Sequence, residues 1–154
     1  KGSGASEATV TALVKAPMTK IWSIISNCNK YVGVMPRIKS SKQLGRKGTQ
    51  VICRVEIDMP WPMDDLKATT KAIHLEKPGR KYSRSWSLIQ GDFHVNSGSW
   101  TLTPYKGDPK QTKVVYVTHA VPKISVPKWI QRAARKRALP NLIASIRKHS
   151  GAKR

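Results

Sequence analysis

Acidic residues are scarce in this chain. Only 8 of its 154 residues are Asp or Glu, against 29 Lys and Arg, so the formal net charge is +21 at pH 7. Such a charge does not determine a fold, but it favours partners that carry negative charge, namely nucleic acid, anionic lipid headgroups or acidic proteins. Residues 126–154 contain nine Lys or Arg and no acid, so positive charge is concentrated at the C-terminal end.

Cysteines and long apolar runs are also few. Cys28 and Cys53 have neither the spacing of a CxxC motif nor that of a zinc site, which argues against a metal centre. A domain of this size does not need a disulfide, and the sequence leaves open whether the two cysteines form one. Because no run approaches the roughly 18 apolar residues of a membrane-spanning helix, we expect a soluble or peripheral protein.

Recognisable catalytic motifs are absent from the sequence, which has no GxSxG, no phosphate-binding loop, no HExxH and no dinucleotide fingerprint. The histidines are scattered, and no two have the spacing of metal ligands. We therefore predict no catalytic residue, no metal and no cofactor, and we expect a non-catalytic protein rather than an enzyme. His74, His94 and His119 fall on predicted strands, where each is either a surface or core residue or a group that faces a cavity.

The hydrophobic pattern predicts one α+β domain. Residues 7–15 alternate as a strand does, and Pro17 then begins an amphipathic helix. Between residues 37 and 121, period-two alternation interrupted by regularly spaced turns predicts five or six strands of an antiparallel meander, and we take six. We assign residues 7–149 to a single domain, 1–6 to a flexible tail and 150–154 to a basic tail.

The C-terminal segment, residues 126–149, is predicted to be one bent helix or two short ones. Its two apolar stripes are Ile130, Ala133, Ala134 and Ala138, and then Leu139, Leu142, Ile143 and Ile146. Pro140 lies where the stripes change phase, and proline removes a backbone donor from the helix.

Several short motifs occur in an order that is typical of a known superfamily. They are Ala16-Pro17 with Ile21-Trp22, Tyr31 with Met35-Pro36, the PWPMDD stretch at 60–65, GSWTLTP at 98–104, Thr112 with Val115-Tyr116, and VPKWI at 126–130 before Leu139-Pro140. Together they resemble the START-like superfamily, which includes START lipid-transfer domains and bacterial polyketide-cyclase and coenzyme-Q-binding proteins. The likeness spans residues 8–148 and is greatest to bacterial START-type proteins. The Arg-Asp pair that usually follows the PWP stretch is missing, since Leu66 follows Asp65.

The resemblance implies a helix-grip fold, in which a curved antiparallel sheet wraps around the long C-terminal helix. Between them it implies a deep, mostly apolar cavity for a lipid, sterol or other hydrophobic molecule. The candidates for its wall are Trp61, Met63, Arg84, Trp86, Trp100, Tyr116 and His119, each with an alternative place in the core or at the surface. Arg84 either faces solvent or is buried against a partner, which is a ligand carboxylate, phosphate or hydroxyl group, or else Glu56 or Asp58.

The resemblance also implies that the cavity entrance lies between a turn of two late strands and the start of the last helix. The apolar residues there are Ile89, Phe93, Ile124, Val126, Trp129 and Ile130. They form a membrane-docking edge or simply close the core beneath the loops. The cations expected to contact an anionic membrane are Lys123, Lys128, Arg132, Arg135 and Lys136, and the alternative is a solvated face that keeps the protein soluble.

The function predicted from these features is that of a monomeric carrier, which binds a hydrophobic molecule in its cavity and carries it to or from anionic membranes. A cyclase- or aromatase-type enzyme that uses the same cavity is an alternative. A nucleic-acid-binding protein is less well supported, because the sequence has no recognition helix, no aromatic RNP-like run and no zinc module. The chain begins at Lys1 rather than Met, and on that ground we favour an exported or periplasmic protein over a cytoplasmic one.

Overall fold

The structure of the chain is a computed structural model that describes residues 7–152. The elements in this part are β1 (Glu7–Val14), α1 (Met18–Ile25), β2 (Ile38–Lys47), β3 (Gln50–Ile57), β4 (Leu66–Lys77), β5 (Lys81–Gly91), β6 (Phe93–Tyr105), β7 (Asp108–Pro122) and α2 (Lys128–His149). A short 3-10 turn at Cys28–Lys30 follows α1. This is the predicted order of elements. The predicted tail at 1–6 and residues 153–154 lie outside the described residues, whereas Ser150 is buried and Ala152 packs against the core.

The strands form one antiparallel sheet in the order β1-β7-β6-β5-β4-β3-β2. Strands β2 to β7 follow one another as the predicted meander, and β1 completes the sheet by pairing with β7. Irregular register between β2 and β3, between β4 and β5, and between β6 and β7 adds local bending to the ordinary twist of the strands. The curved sheet wraps around α2, and the predicted helix-grip fold is confirmed.

The main core lies where the two helices meet the inner face of the sheet. Ile21, Trp22 and Ile25 form the buried stripe of α1, which begins directly after Pro17. They belong to the same cluster as Leu142 and Ile146 of α2 and the large side chains of β6. Each such apolar side chain contributes about 1.5–3 kcal/mol when it is removed from water. This cluster holds the second half of α2 against the sheet.

The first half of α2 differs from the predicted amphipathic helix. Residues 131–138 are all exposed, including the alanines that were expected to form an apolar stripe, and Ile130 is the buried residue of this half. Alanine offers little apolar area, and the surrounding cations leave no wide apolar face.

The helix is continuous through Pro140 rather than divided. No helix within residues 7–152 has the length and the apolar character needed to cross a membrane.

A disulfide between Cys28 and Cys53, which the sequence left open, joins the turn after α1 to β3. The two sulfurs are buried together with Tyr31 and Val51 in a second core cluster. The Tyr31 hydroxyl donates to the backbone oxygen of Ile25 at 2.5 Å, so the turn is also held to α1. The disulfide therefore fixes one wall of the space beneath the sheet.

The disulfide predicts a measurable loss of stability on reduction. Because the bond joins cysteines 25 residues apart, its removal is expected to lower the free energy of unfolding by about 3.5 kcal/mol through the larger entropy of the unfolded chain. Urea denaturation with and without reductant measures this loss. The Cys28→Ala/Cys53→Ala variant should be destabilised and insensitive to reductant. An unchanged midpoint for the unmodified protein, with both thiols shown to be free, would contradict the expectation.

Candidate functional site, an inner cavity with a buried arginine

A cavity of about 330 Å³ lies between the inner face of the sheet and the middle of α2. Its wall is mostly apolar and aromatic, and no Asp or Glu among residues 7–152 contributes to it. Side chains from β3 to β7 line one side, while Leu139 and Leu142 of α2 line the other. Arg37 and Ala138 are exposed residues of the wall, so they mark where the cavity reaches the surface.

Four of the predicted wall residues, Arg84, Trp86, Trp100 and Tyr116, line this cavity. Strand register brings them together, since Arg84 is opposite Trp100 on β6, and Trp100 is opposite Tyr116 on β7. The ring centroid of Tyr116 lies 4.4 Å from that of Trp100 and 5.9 Å from that of Trp86. The aromatic side chains therefore form one continuous part of the wall.

The structure does not bring Trp61, Met63 or His119 to the cavity. Trp61 is 88% exposed, and both it and Met63 lie in the loop between β3 and β4, beyond the strand residues that face inward. His119 lies between Thr118 and Ala120, which line the cavity. Because side chains alternate along a strand, His119 points elsewhere, and its Nδ1 is 3.6 Å from the Glu7 carboxylate.

The predicted entrance residues divide into two groups. Ile89, Ile124 and Trp129 are exposed, whereas Phe93 and Ile130 are buried and Val126 is half-buried; only Phe93 of these lines the cavity. The predicted membrane-contacting cations are all exposed: Lys123, Lys128, Arg132, Arg135 and Lys136.

One end of the sheet carries most of these exposed groups. The register pairs Ile57 with Leu66, Ala68 with Gly91, and Phe93 with Pro122. The β3–β4 loop, the β5–β6 turn and the β7–α2 connection therefore lie at the same end of the sheet, which we call the loop end. The exposed Trp61 belongs to it as well.

Three polar residues of the wall, Thr70, Asn96 and Thr118, were not predicted. Asn96 accepts a hydrogen bond from the Trp86 indole at 3.1 Å. Asn96 lies four residues before Trp100 on β6, and Thr118 lies two residues after Tyr116 on β7. Strand alternation therefore places each of them on the same face as a predicted wall residue. Small polar residues are common on both faces of a sheet, so their type alone does not indicate a cavity wall.

Gly98 allows the Trp86 ring to lie close to β6. A Cβ atom at Gly98 would stand 2.5 Å from the indole of Trp86 and 2.2 Å from the backbone oxygen of Val117. Only glycine permits this approach without displacement of the ring or of the neighbouring strand. The position of the Trp86 ring in the cavity wall therefore depends on the absence of a side chain at Gly98.

Arg84 is the buried charge of the site, with 3% of its surface exposed. Its Nη1 donates to Nε2 of His74 at 3.2 Å, and its Nη2 donates to Sγ of Cys53 at 3.6 Å. Its guanidinium carbon lies 5.8 Å from the centre of the Tyr31 ring. Within residues 7–152 no carboxylate lies within 4 Å of it, so the expected alternatives of Glu56 and Asp58 are not its partners.

The histidine and tyrosine side chains nearest Arg84 are neutral at pH 7. Burial, with smaller effects from the cations of Arg84 and Arg46, lowers the pKa of His74 from 6.5 to about 4. Burial raises the pKa of Tyr31 and of Tyr116. Since neutral His74 accepts at Nε2, its proton is on Nδ1, a buried atom without a hydrogen-bond partner in the described chain. The positive charge of Arg84 is therefore not neutralised by these neighbours, and it lies beside a mostly apolar cavity.

The lowered pKa of His74 predicts that stability falls in acid. Between pH 6.5 and 4 the unfolded chain binds a proton at this histidine and the folded chain does not. The free energy of unfolding is therefore at its full value above pH 6.5, as far as His74 determines it, and decreases as the pH falls toward 4. The pKa difference corresponds to on the order of 3 kcal/mol. Urea unfolding at pH 7.5 and pH 4.5 measures it. His74→Gln keeps an acceptor for Arg84 but does not titrate, so its loss should be smaller; equal losses would show that His74 is not responsible.

The arrangement supplies a cation and hydrogen-bond donors inside an apolar wall, which suits binding of an amphiphilic molecule. Within the part of the chain that the structure describes, no three His, Cys, Asp or Glu side chains come together as metal ligands would.

Solved structures with the same architecture include three bacterial proteins. A STAR-related lipid transfer protein from Xanthomonas axonopodis has a TM-score of 0.79 and 18% identity, over 94% of this chain and 85% of that one. A START superfamily protein from Mycobacterium smegmatis has a TM-score of 0.73 and 20% identity, over 94% and 97%. The Zhui aromatase/cyclase from a Streptomyces species has a TM-score of 0.71 and 14% identity, over 93% and 92%. At these identities the likeness shows a shared fold alone.

The sequence comparisons give the family. A search among curated proteins finds no match. The family model described as polyketide cyclase/dehydrase and lipid transport matches residues 14–147, which is most of the chain. The protein therefore belongs to the polyketide cyclase/dehydrase and lipid transport family, within the START-like superfamily that its motifs resemble.

Proposed function

We propose that this protein binds a hydrophobic molecule in its inner cavity and carries it to or from anionic membranes. The observation that supports this most directly is the cavity of about 330 Å³ between the sheet and α2, with its largely apolar wall. Its volume lies at the lower end of the roughly 300–1,000 Å³ that is usual for sites of small organic ligands. An apolar molecule held there is removed from water, which is what a carrier has to achieve.

The titration behaviour of the site supports binding rather than turnover. A group that transfers protons works best when its pKa is near the ambient pH. Burial moves the pKa of His74 down and the pKa of Tyr31 and Tyr116 up, away from neutrality in each case. The Tyr31 hydroxyl also donates to a backbone oxygen. These groups are suited to shaping and anchoring a ligand, so a cyclase-type reaction is the weaker candidate.

The charge on α2 supports an anionic membrane as the partner. Five cations lie within residues 128–137, and all five are exposed: Lys128, Arg132, Arg135, Lys136 and Arg137. None of them forms an ion pair within residues 7–152. The first turn of the helix has no acidic residue and no side-chain cap, so its backbone N–H groups add further positive potential. Each cation near an anionic leaflet contributes about 1 kcal/mol.

Exposed apolar groups at the loop end suit the same partner. Trp61 and Trp129 are 88% and 56% exposed, and Ile89 near the end of β5 and Ile124 in the β7–α2 connection are exposed at the same end of the sheet. Tryptophan is enriched where proteins meet the interfacial region of a bilayer. Lys123 and Lys128 flank the connection that carries Ile124. We propose that the loop end and the start of α2 contact the membrane together.

Blocking the cavity is expected to abolish transfer. Ala120→Trp fills the cavity from β7, and Ala138→Trp obstructs it at its mouth, where Ala138 is exposed. Both variants should lose most of the transfer of a pyrene-labelled single-chain lipid between donor and acceptor vesicles. Lys113→Trp places the same ring on the exposed side of β7 and should transfer normally. Full transfer by both cavity variants, with circular dichroism showing that they are folded, would refute the cavity as the binding site.

Removing cations from α2 is expected to weaken membrane binding more than removing them elsewhere. Arg132→Gln/Arg135→Gln/Lys136→Gln should lower the affinity for vesicles of phosphatidylserine and phosphatidylcholine by roughly 100-fold, from three contributions of about 1 kcal/mol. The matched control is Lys77→Gln/Arg80→Gln/Lys81→Gln, which removes three exposed cations from the β4–β5 turn at the opposite end of the sheet.

Co-sedimentation at several salt concentrations measures both affinities. The control variant should lose only a few-fold, and binding by the unmodified protein should weaken as salt screens the attraction. Equal losses in the two variants would mean that net charge alone, rather than a docking surface on α2, attracts the protein to the vesicles.

A further inference from the structure

Arg84 is held in place by a series of contacts that extends to the surface. The Glu76 carboxylate accepts from the Trp22 indole at 2.8 Å. The edge of Trp22 meets the His74 ring with 5.1 Å between centroids, and His74 accepts from Arg84. Glu76 itself is not within ion-pair distance of Arg84. These contacts orient the guanidinium but do not neutralise it.

We infer that the ligand of the cavity is an amphiphile with a carboxylate or phosphate group, and that this anion pairs with the buried guanidinium of Arg84. The inference rests on the proposed function, since it names the chemical class of the molecule that occupies the same cavity. It also assigns the two ends of that molecule, with the anion at Arg84 and the apolar part against Trp86, Trp100 and Leu142.

The energetic reason is that neutral groups do not compensate a buried charge. A cation removed from water loses its hydration, and this loss is recovered only by an opposite charge with good hydrogen-bond geometry. The neighbours of Arg84 are an imidazole, a disulfide sulfur and an aromatic ring, none of which carries negative charge at pH 7. An anionic ligand would supply the missing charge, whereas an alcohol or an ester would not.

The geometry leaves donors for such an anion. A guanidinium has five N–H groups, and the contacts to His74 and Cys53 each use one. Arg84 also belongs to the cavity wall, so part of its side chain borders the ligand space. Arginine binds carboxylate and phosphate groups through two parallel hydrogen bonds, which gives both affinity and orientation.

The size of the cavity restricts the apolar part. At about 330 Å³ the space suits a single chain or a small ring system rather than a lipid with two long chains. The second arginine of the wall, Arg37, is exposed at the mouth, and its Nε donates to the backbone oxygen of Asp58 at 3.0 Å. Water screens this charge, so it should contribute less than Arg84 to the selection of an anion.

The test compares head groups on the same hydrocarbon chain. Alkyl carboxylates of 8 to 16 carbons, their methyl esters and the corresponding alkyl phosphates are titrated into the protein, with binding followed by calorimetry and by the fluorescence of the cavity tryptophans. We expect the carboxylate and the phosphate to bind roughly 10- to 100-fold more tightly than the ester, which is the range for hydrogen bonds to a buried charge. Comparison of carboxylate with phosphate identifies which anion the site prefers.

The variants assign the preference to one residue. Arg84→Met should bind the ester as before and lose the preference for the anion. Arg84→Lys, which keeps the charge but not the planar fork, should retain part of the preference, and this variant also serves if Arg84→Met fails to fold. Arg54→Gln, which removes an exposed cation of β3 that does not line the cavity, should keep the preference in full.

Two results would overturn the inference, and they have different consequences. If the unmodified protein binds ester and carboxylate equally, or if the preference survives in Arg84→Met, the role of Arg84 is wrong while the carrier function stands. If no compound of any head group or chain length binds, the proposed function fails together with the inference.

Discussion

The packing of the second half of α2 against the inner face of the sheet is the contact on which the rest of the site depends. Leu142 and Ile146 share a cluster with the stripe of α1 and with Trp100, and Leu142 and Trp100 also line the cavity. The polar first half has no such stripe, and there the helix lies exposed. One helix thus closes a cavity with its second half and presents five cations with its first.

The disulfide and the buried arginine belong to the same wall. Cys53 lines the cavity, is bonded to Cys28 and accepts a hydrogen bond from Arg84. Neighbouring β4 supplies His74, whose neutral ring holds the guanidinium without cancelling its charge. Burial causes both properties, because it disfavours the protonated histidine and also makes the arginine costly to keep without an anion. The charge of the cavity is thus a consequence of which groups the sheet buries together.

Strand periodicity predicted the inner face well where large residues alternate. Arg84 and Trp86 were expected on one face of β5, and Trp100 and Tyr116 on their neighbours, and all four line the cavity. The prediction failed for Trp61, because a motif in a loop carries no alternation that would indicate its direction. It also failed for the alanines of α2, since spacing alone does not show whether a weakly apolar stripe has anything to pack against.

The sequence by itself determined the order of elements, the faces of the strands, the excess of positive charge and the family likeness. These follow from local periodicity and composition, which each segment carries independently of the others. Only the tertiary structure decided that Arg84 points inward, that His74 rather than Glu56 or Asp58 is its partner, and that Cys28 and Cys53 are bonded. Each of these is a contact between distant segments, and it depends on strand register and sheet curvature, which no local pattern encodes.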